Sequence, residues 1–558
     1  MTLTGLRQGL IETGAAGLRF LTGRRGGVAI WGAFLAVPLL GFMGLGVDSA
    51  RGYLVRARLS QALDAAGLAA GKQFTNEAKA IEAAQMVFKA NFPSTYMDAA
   101  LTGPTITFNT EAQTVKVTAS AVLPTYFVHL VGVNTFKVAA EAEVMRNGTN
   151  LEIALVLDVT GSMNNPSSKI ADLKLAAKDL IDIVVYADQT EYYSKVTIVP
   201  YSNSVNVGAL ADQVRGNITT TTKTITAITK ANPAVVTSAN HGLNNGDKIF
   251  ITGATGMTQV NNSTTARSST SSASPSTNAA FWVVANKTTN TFQLRYPSGT
   301  NVNSTSWGTY SGSAGRIHCT TAGCDYYAFQ SAETGNTWRA FLYSTCASER
   351  TGAQAYTDAA PSTSFVGRVY PPPSGNSCPT STILPMQADK TTLKNYVDTL
   401  TAVGSTAGHI GIAWGWYLLS PNFSYLLPGA SQPAAYNTPE LIKIAVIMTD
   451  GAFNTGYCNG VIAKDAGSGS GNSYDHNNCN ATNGAPFTQA LATCNAMKAA
   501  GVTIFTVGFQ IGSEVGAEDF MRACASTEWH FYNAADGGAL KQAFRAIAVN
   551  ISRLRLSK

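Results

Sequence analysis

Three oxygen-bearing side chains stand at alternate positions in the run Asp158-Val159-Thr160-Gly161-Ser162. A carboxylate and two hydroxyls at i, i+2 and i+4 make a hard-oxygen cup, and oxygen-only ligands suit Mg²⁺ or Ca²⁺. The residues just before it include Leu151, Ile153, Leu155, Val156 and Leu157. That is the pattern of a central strand buried on both faces of a parallel sheet. The carboxyl end of such a strand is where open α/β sheets bind ligands. The plainer alternative is that Asp158 caps a helix starting near Ser167. A cap accounts for one oxygen and leaves the two hydroxyls unexplained.

The run D-x-T-G-S-M at 158–163 resembles the D-x-S-x-S of von Willebrand factor A (vWA) domains, which begins their metal-ion-dependent adhesion site. Thr160 stands where Ser is commoner and keeps the hydroxyl. The resemblance implies two further ligands downstream. Gly404-Ser405-Thr406 matches the family's Gly-x-Thr loop, which gives Thr406, with Ser405 the near alternative. Leu441 to Met448 reads as another buried strand, and Thr449-Asp450-Gly451 follows it, which gives the second aspartate, Asp450. The implied metal set is therefore Asp158, Thr160, Ser162, Thr406 and Asp450. It would hold Mg²⁺ or another divalent cation such as Ca²⁺ or Mn²⁺. Mg²⁺ favours six oxygens and keeps waters where protein ligands are lacking. The expected ligand is a protein partner contributing an acidic residue to the metal, with helix starts near Ser167 and Gly408 turning their positive ends to the same anion.

These residues need a sheet and helices to carry them. Ser168 to Tyr186 has Ile170, Leu173, Leu180 and Ile183 at helical spacing. Lys195 to Tyr201 reads as the next strand, and helices are expected at Lys390 to Leu400 and Ile410 to Leu419. Beyond Asp450, a helix is expected over Gln489 to Ala500, strands over Val502 to Val507 and Trp529 to Tyr532, and an amphipathic helix over Leu540 to Leu554. The fold class is α/β: a doubly wound vWA (Rossmann-like) sheet over 150–554, interrupted by an all-β insertion. That insertion, 223–317, strings short Val/Ile/Thr runs between Asn-Pro, His-Gly and Asn-Gly-Asp turns. It resembles the small FCCH-like β module, named after a half domain of ubiquitin-activating enzymes. It carries no ubiquitin chemistry, because no cysteine occurs in 1–318. His241 falls in one of its turns and reads as structural. Residues 319–385 read as irregular, disulfide-pinned loops.

The amino terminus is a separate object. Gly26 to Val47 is uncharged and long enough to span a bilayer, so 26–47 is expected to be a transmembrane helix after a cytoplasmic tail, 1–25. Pro38 is tolerable there. A cleaved signal peptide is the alternative, but the apolar run is long and lacks an obvious small-x-small cleavage site. Arg7, Arg19, Arg24 and Arg25 precede the span, yet Arg51, Arg56 and Arg58 follow it, so charge alone orients it weakly. The cysteines orient it better. All eight (319, 324, 346, 378, 458, 479, 494, 524) lie beyond the span, an even set that reads as disulfides in an oxidising compartment. Zinc is a poor alternative, with no CxxC and only His318 near Cys319 and Cys324. Cys494 with Cys524, on helices either side of a strand, and Cys458 with Cys479, closing a Gly/Asn-rich loop, are the expected pairs. Asp465, Asp475 and His476 in that loop fit no EF-hand spacing.

After the span, Arg56 to Ala70 (R-x-R-L-S-Q-A-L-D-A-A-G-L-A-A) resembles the amino-terminal segment of TadG-like Tad/Flp pilus-assembly proteins. Asp48 and Asp64 sit where that resemblance expects them, and 48–149 is read as the TadG-like, pilin-like α+β region. A helix is expected over Asn76 to Ala90, then strands over Thr105 to Phe108, Thr114 to Ala119 and Lys137 to Val144. His129, among Phe127, Val128 and Leu130, reads as a packing residue.

Charged residues are only 13% of 558, the formal net charge is +6, and no basic patch with interleaved aromatics occurs. Nucleic acid is therefore excluded as a partner. Hydrolase readings are weak: a haloacid-dehalogenase-type site would need a carboxylate at 160, and neither a G-x-S-x-G elbow at Ser162 nor an H-E-x-x-H is present. A cup without a general base favours binding over catalysis. The expected protein is not an enzyme. It is a single-pass inner-membrane, vWA-bearing component of a Tad/Flp-type pilus assembly or adhesion system, with pilus or envelope components as partners. A free-standing surface adhesin and, more remotely, a metal-dependent hydrolase are the alternatives.

Overall fold

The computed structural model describes residues 27–71, 73, 77–109, 114–145, 149–190, 192–268, 279–331, 337–464 and 476–556. The tail 1–25 with its four arginines, Gly26, positions 269–278 of the Ser/Thr tract, Asp465, Asp475 and Lys558 lie outside them. Two compact units divide the chain, Met1–Asn147 and Gly148–Lys558.

In the first unit the expected span and the helix after it form one continuous helix, α1 (Gly27–Gly71), with Pro38 inside. It is long and apolar enough to cross a membrane. Helix α2 (Glu77–Asn91) packs on it, and β1 (Ala100–Asn109), β2 (Thr114–Pro124) and β3 (Thr135–Met145) form an antiparallel sheet in the order β1-β2-β3. The core joins Val55, Leu59, Leu63 and Ala66 of α1 to Phe88 of α2 and to Val115 and Val117 of β2. Those α1 residues recur at i, i+4, i+8 and i+11, one helical face. His129 departs from expectation. It lies in a 3₁₀ turn, Val128–Val131, and is exposed rather than packed.

The second unit is built on a six-stranded sheet. Its strands are β4 (Asn150–Asp158), β5 (Ser194–Tyr201), β6 (Leu384–Gln387), β7 (Leu441–Thr449), β8 (Thr503–Phe509) and β9 (Phe531–Ala534), in the order β6-β5-β4-β7-β8-β9. All neighbours are parallel except β6, which is antiparallel to β5. Strand β4 pairs over eight positions with β7 and over eight with β5. Its Ile153, Leu155 and Leu157 enter one core with α3 (Ser168–Val184), α4 (Lys390–Thr399) and α8 (Gly537–Leu556). Ala154 and Val156 enter the other, with α5 (Gly408–Tyr417), α6 (Pro486–Ala499) and α7 (Ala517–Cys524). Helices thus cover both faces, the doubly wound arrangement, which is why β4 has no polar face to expose. Helix α5 carries Gly408, Gly411 and Gly415; a Cβ on Gly411 would meet the Tyr201 ring and one on Gly415 would meet Val156, so glycine lets this helix lie close on the sheet.

Between β5 and β6, seven short strands from Lys223 to Cys319 form a separate antiparallel sheet. Its first strand, Lys223–Thr224, pairs with its last, Arg316–Cys319. His241 is buried in a turn, its Nδ1 accepting from the Leu243 N–H at 3.1 Å. Residues 319–385 are more ordered than the expected irregular loops. Tyr326–Gln330 and Trp338–Leu342 form a hairpin, Cys346–Ser348 and Gly367–Arg368 pair, and the stretch ends in β6 itself. The hairpin packs its Ala328 and Ala340 against Phe250 and Phe281 of the inserted sheet. The strand expected over Trp529 to Tyr532 begins only at Phe531, because Glu528–His530 is a 3₁₀ turn that leaves Trp529 exposed.

Candidate metal centre

The cup lies at the carboxyl ends of β4 and β7, two adjacent strands. Asp158 is fully buried and Asp450 nearly so. Asp158 does not cap a helix: a 3₁₀ turn, Gly161–Asn164, and a cis Asn165-Pro166 bond separate it from α3. Its Oδ1 accepts the Thr160 N–H at 2.9 Å. Its Oδ2 accepts the Thr449 hydroxyl at 2.8 Å and the Tyr201 hydroxyl at 3.2 Å, and the Asp450 N–H points at it from 3.4 Å. The three expected residues of the first loop then chain together. Thr160 Oγ1 lies 2.8 Å from Ser162 Oγ, and Ser162 donates to Asp450 Oδ1 at 2.6 Å.

Thr406 reaches the neighbourhood through its loop. The Gly161 N–H donates to the Gly404 carbonyl at 2.8 Å, and the Val403 N–H to the Val159 carbonyl at 2.8 Å. Gly404 has φ +79°, and a Cβ there would crowd Asn203 Oδ1 in the segment after β5, so this turn requires glycine. The Thr406 N–H is held by Asn454 Oδ1 at 3.0 Å. Ser405, the alternative, is engaged elsewhere: its N–H and hydroxyl both bond Asn376 Oδ1, at 2.9 and 2.7 Å.

Electrostatically the cup is strained. Burial, and then the charge of Asp450, push the Asp158 carboxyl up to about 7, against the pull of the Thr160 and Thr449 bonds. Burial and the same Asp158 charge raise the Tyr201 phenol well above its ordinary range, so it stays a neutral donor. Lys169, at the second position of α3, donates to Asp450 Oδ2 at 3.0 Å and is itself buried. Sequence reasoning missed Lys169, Thr449 and Tyr201. Lys169 had a signal: a lysine in the first turn of a helix opposes the helix dipole and needs a compensating anion.

The donors fit a hard divalent cation. Two buried carboxylates whose charges oppose each other, with two hydroxyls beside them, are an all-oxygen set. Among the described residues no group of three His, Cys, Asp or Glu side chains forms a metal cluster, so any such ion would depend on the hydroxyls. Zinc at His318 has no free thiolates to use. Cys319 is bonded to Cys324, and His318 is held between Asp325 at 2.5 Å and Thr252 at 2.8 Å. The expected pairs Cys458–Cys479 and Cys494–Cys524 are both formed, and Cys346–Cys378 completes the set.

Residues 26–76 match the model of a family described as putative Flp pilus-assembly TadE/G-like. No curated protein matches the sequence. The solved structures similar to this chain include these three. The vWF domain of the type V pili tip protein Mfa5 from Porphyromonas gingivalis shares 9% identity at a TM-score of 0.31, covering 73% of this chain and 96% of that one. Proximal thread matrix protein 1 from the mussel byssus, with a zinc-occupied MIDAS motif, shares 10% at 0.27, covering 72% of this chain and 47% of that one. A von Willebrand factor type A protein from Catenulispora acidiphila shares 11% at 0.25, covering 82% and 51%. The chain spans about half the length of the last two. The molecule thus joins an amino-terminal segment that matches a TadE/G-like family model to a doubly wound α/β unit.

Proposed function

We propose that this is a membrane-anchored, metal-dependent protein-binding component of a Tad/Flp-type pilus assembly or adhesion system, and not an enzyme. The observation that carries the reading is the Asp158–Ser162–Asp450 arrangement: two buried aspartates at the carboxyl edge of adjacent parallel strands, with the Ser162 hydroxyl on the Asp450 carboxylate and the Asp450 N–H directed at the Asp158 carboxylate. Asp158, Thr160, Ser162, Thr406 and Asp450 are the proposed ligands of Mg²⁺ or a similar divalent cation. The bound cation would supply the positive charge that an acidic residue of a partner recognises. Thr449 and Tyr201 orient Asp158, Asn454 fixes the backbone at Thr406, and Lys169 holds the outer oxygen of Asp450.

The disulfides support an oxidising compartment for the second unit, and the proposed topology is an inner-membrane anchor with a cytoplasmic amino terminus. The proposed divisions are the tail 1–25, the span 26–47, the TadG-like region 48–149 and the vWA domain 150–554 with its inserted module 223–317. Envelope or pilus components are the proposed partners.

The test is recovery of partners by the full chain in detergent, with Mg²⁺, with EDTA, and as Asp450→Ala. Recovery should fall in the last two. Equal recovery in all three would sink the metal-bridged contact and leave docking through another surface.

A further inference from the structure

We infer that the connection between β2 and β3 is a second membrane contact, an apolar foot seated in the headgroup–acyl boundary beside the end of the span; this rests on reading α1 as membrane-spanning. Asp48 is the first charged residue after the uncharged run that begins at Gly26. Its carboxylate is turned to the β2–β3 connection. Oδ1 accepts the Tyr126 N–H at 2.9 Å, and Oδ2 accepts the N–H groups of Phe127 and Val128 at 2.9 and 3.0 Å. Arg51 reinforces the latch from one helical turn further on. It donates to the carbonyls of Pro124 and Met97, both at 3.1 Å, and its guanidinium lies 3.6 Å from the Tyr126 ring centroid. Gly44 and Gly52 make room on the helix: a Cβ on Gly44 would collide with Phe127, and one on Gly52 with Phe136. The connection is therefore clamped to α1 over residues 44–52.

What it presents is unlike a water-facing turn. From Thr125 to Phe136 there is no Asp, Glu, Lys or Arg, whereas turns exposed to water favour polar residues. Tyr126, Phe127, Val133 and Phe136 are each nearly half exposed (49, 45, 46 and 45%). On the helix beside them Phe42, Met43 and Val47 are exposed as well. The two apolar surfaces meet at Gly44, so the patch is continuous rather than a scatter of single residues, and continuous patches mark contacts. Lipid is the occupant the chemistry favours. The latch sits where the hydrocarbon-crossing run ends, aromatic rings are favoured at that depth, and a shallow apolar face binds there without spanning. An anchor at two points would also hold the first unit at a fixed tilt to the bilayer, which a single helix does not.

The test uses the full chain in phosphatidylcholine–phosphatidylglycerol vesicles, with a bimane on one introduced cysteine. All eight native cysteines are paired, so the added thiol reacts alone. Phe127→Cys and Val133→Cys report the foot, Phe34→Cys the span, and Leu175→Cys the exposed surface of the second unit. Lipids with a shallow doxyl group should quench both foot labels strongly and deep doxyl lipids weakly. The Phe34 label should show the reverse and the Leu175 label neither. If the Phe34 label is quenched while both foot labels behave like Leu175, the foot faces water or a protein and the inference fails. If the Phe34 label is itself unquenched, the membrane reading fails and takes the foot with it. Val133→Cys leaves the helix contact of Phe127 intact, so a folding defect in one variant does not remove the test.

Discussion

The Lys169 ammonium lies 3.0 Å from Asp450 Oδ2 while the Ser162 hydroxyl donates to Asp450 Oδ1 at 2.6 Å, so both oxygens of one carboxylate are engaged from opposite sides. Lys169 stands in for part of the charge a cation would bring, and it opposes that cation when it binds. Lys169→Met removes the opposing charge at similar volume. Metal affinity should rise by about tenfold, ~1.4 kcal/mol, and the metal-induced rise in melting temperature should grow. Titration calorimetry that gave equal affinities would show that Lys169 has no part in the cup.

Asp158 makes the metal-free protein pH-sensitive. Its carboxyl ionises near 3.8 when free and is raised to about 7 in the fold. Between these values the folded state holds a proton that the unfolded state has lost, so stability falls as pH rises from about 4 to about 7. In EDTA the melting temperature should drop over that range, and Asp158→Asn should flatten the drop. Metal binding must displace the same proton and should weaken below pH 7. A metal-free melting curve that rises with pH through this window, in parent and variant alike, would contradict the assignment.

The Cys494–Cys524 bridge ties α6 to α7 across 30 residues of chain, and both sulfurs are fully buried. Replacing both by Ala should cost about 2–4 kcal/mol, read as an earlier denaturant midpoint. The Cys458–Cys479 bridge closes an outer loop and its loss should affect the cup less than the fold around it. Calorimetric metal titration of the two double variants separates these effects.

Replacing 223–317 with a short Gly/Ser linker uncovers the face of the 326–342 hairpin that packs on Phe250 and Phe281. The excised chain should therefore bind more of a hydrophobic dye than the parent while keeping its metal-induced thermal shift. Loss of that shift would mean the inserted sheet supports the cup.

The parts of this molecule that could be read in the sequence are those where one physical demand fixes the residue types. Strands β4 and β7 must be apolar on both faces, so their aliphatic runs stand out; β4 ends in Asp158 and Asp450 directly follows β7. The Cys494–Cys524 pair followed from two helices that had to lie side by side, and Cys458–Cys479 from the loop it closes, whereas Cys319–Cys324 and Cys346–Cys378 lie in a stretch read as irregular. Strand β6 did not stand out, because Leu384-Pro385-Met386-Gln387 is short, contains proline and makes only an edge. The exposure of His129 was hidden for another reason: an apolar neighbourhood in sequence normally means burial, and here it lies on the surface. Lys169 signals locally that it needs an anion, but no local pattern says that the anion is Asp450, 281 residues away.

Strand β4 is the first strand of the second unit; it starts at Asn150 and ends at Asp158, where the cup begins. A load applied between the two ends of β4 would run lengthwise along the strand. Parallel strands on both sides hold it through eight paired positions each. Lengthwise load puts those hydrogen bonds in shear, so they resist together instead of unzipping one after another. The connectivity that buries the strand also lets it carry tension from one end to the other.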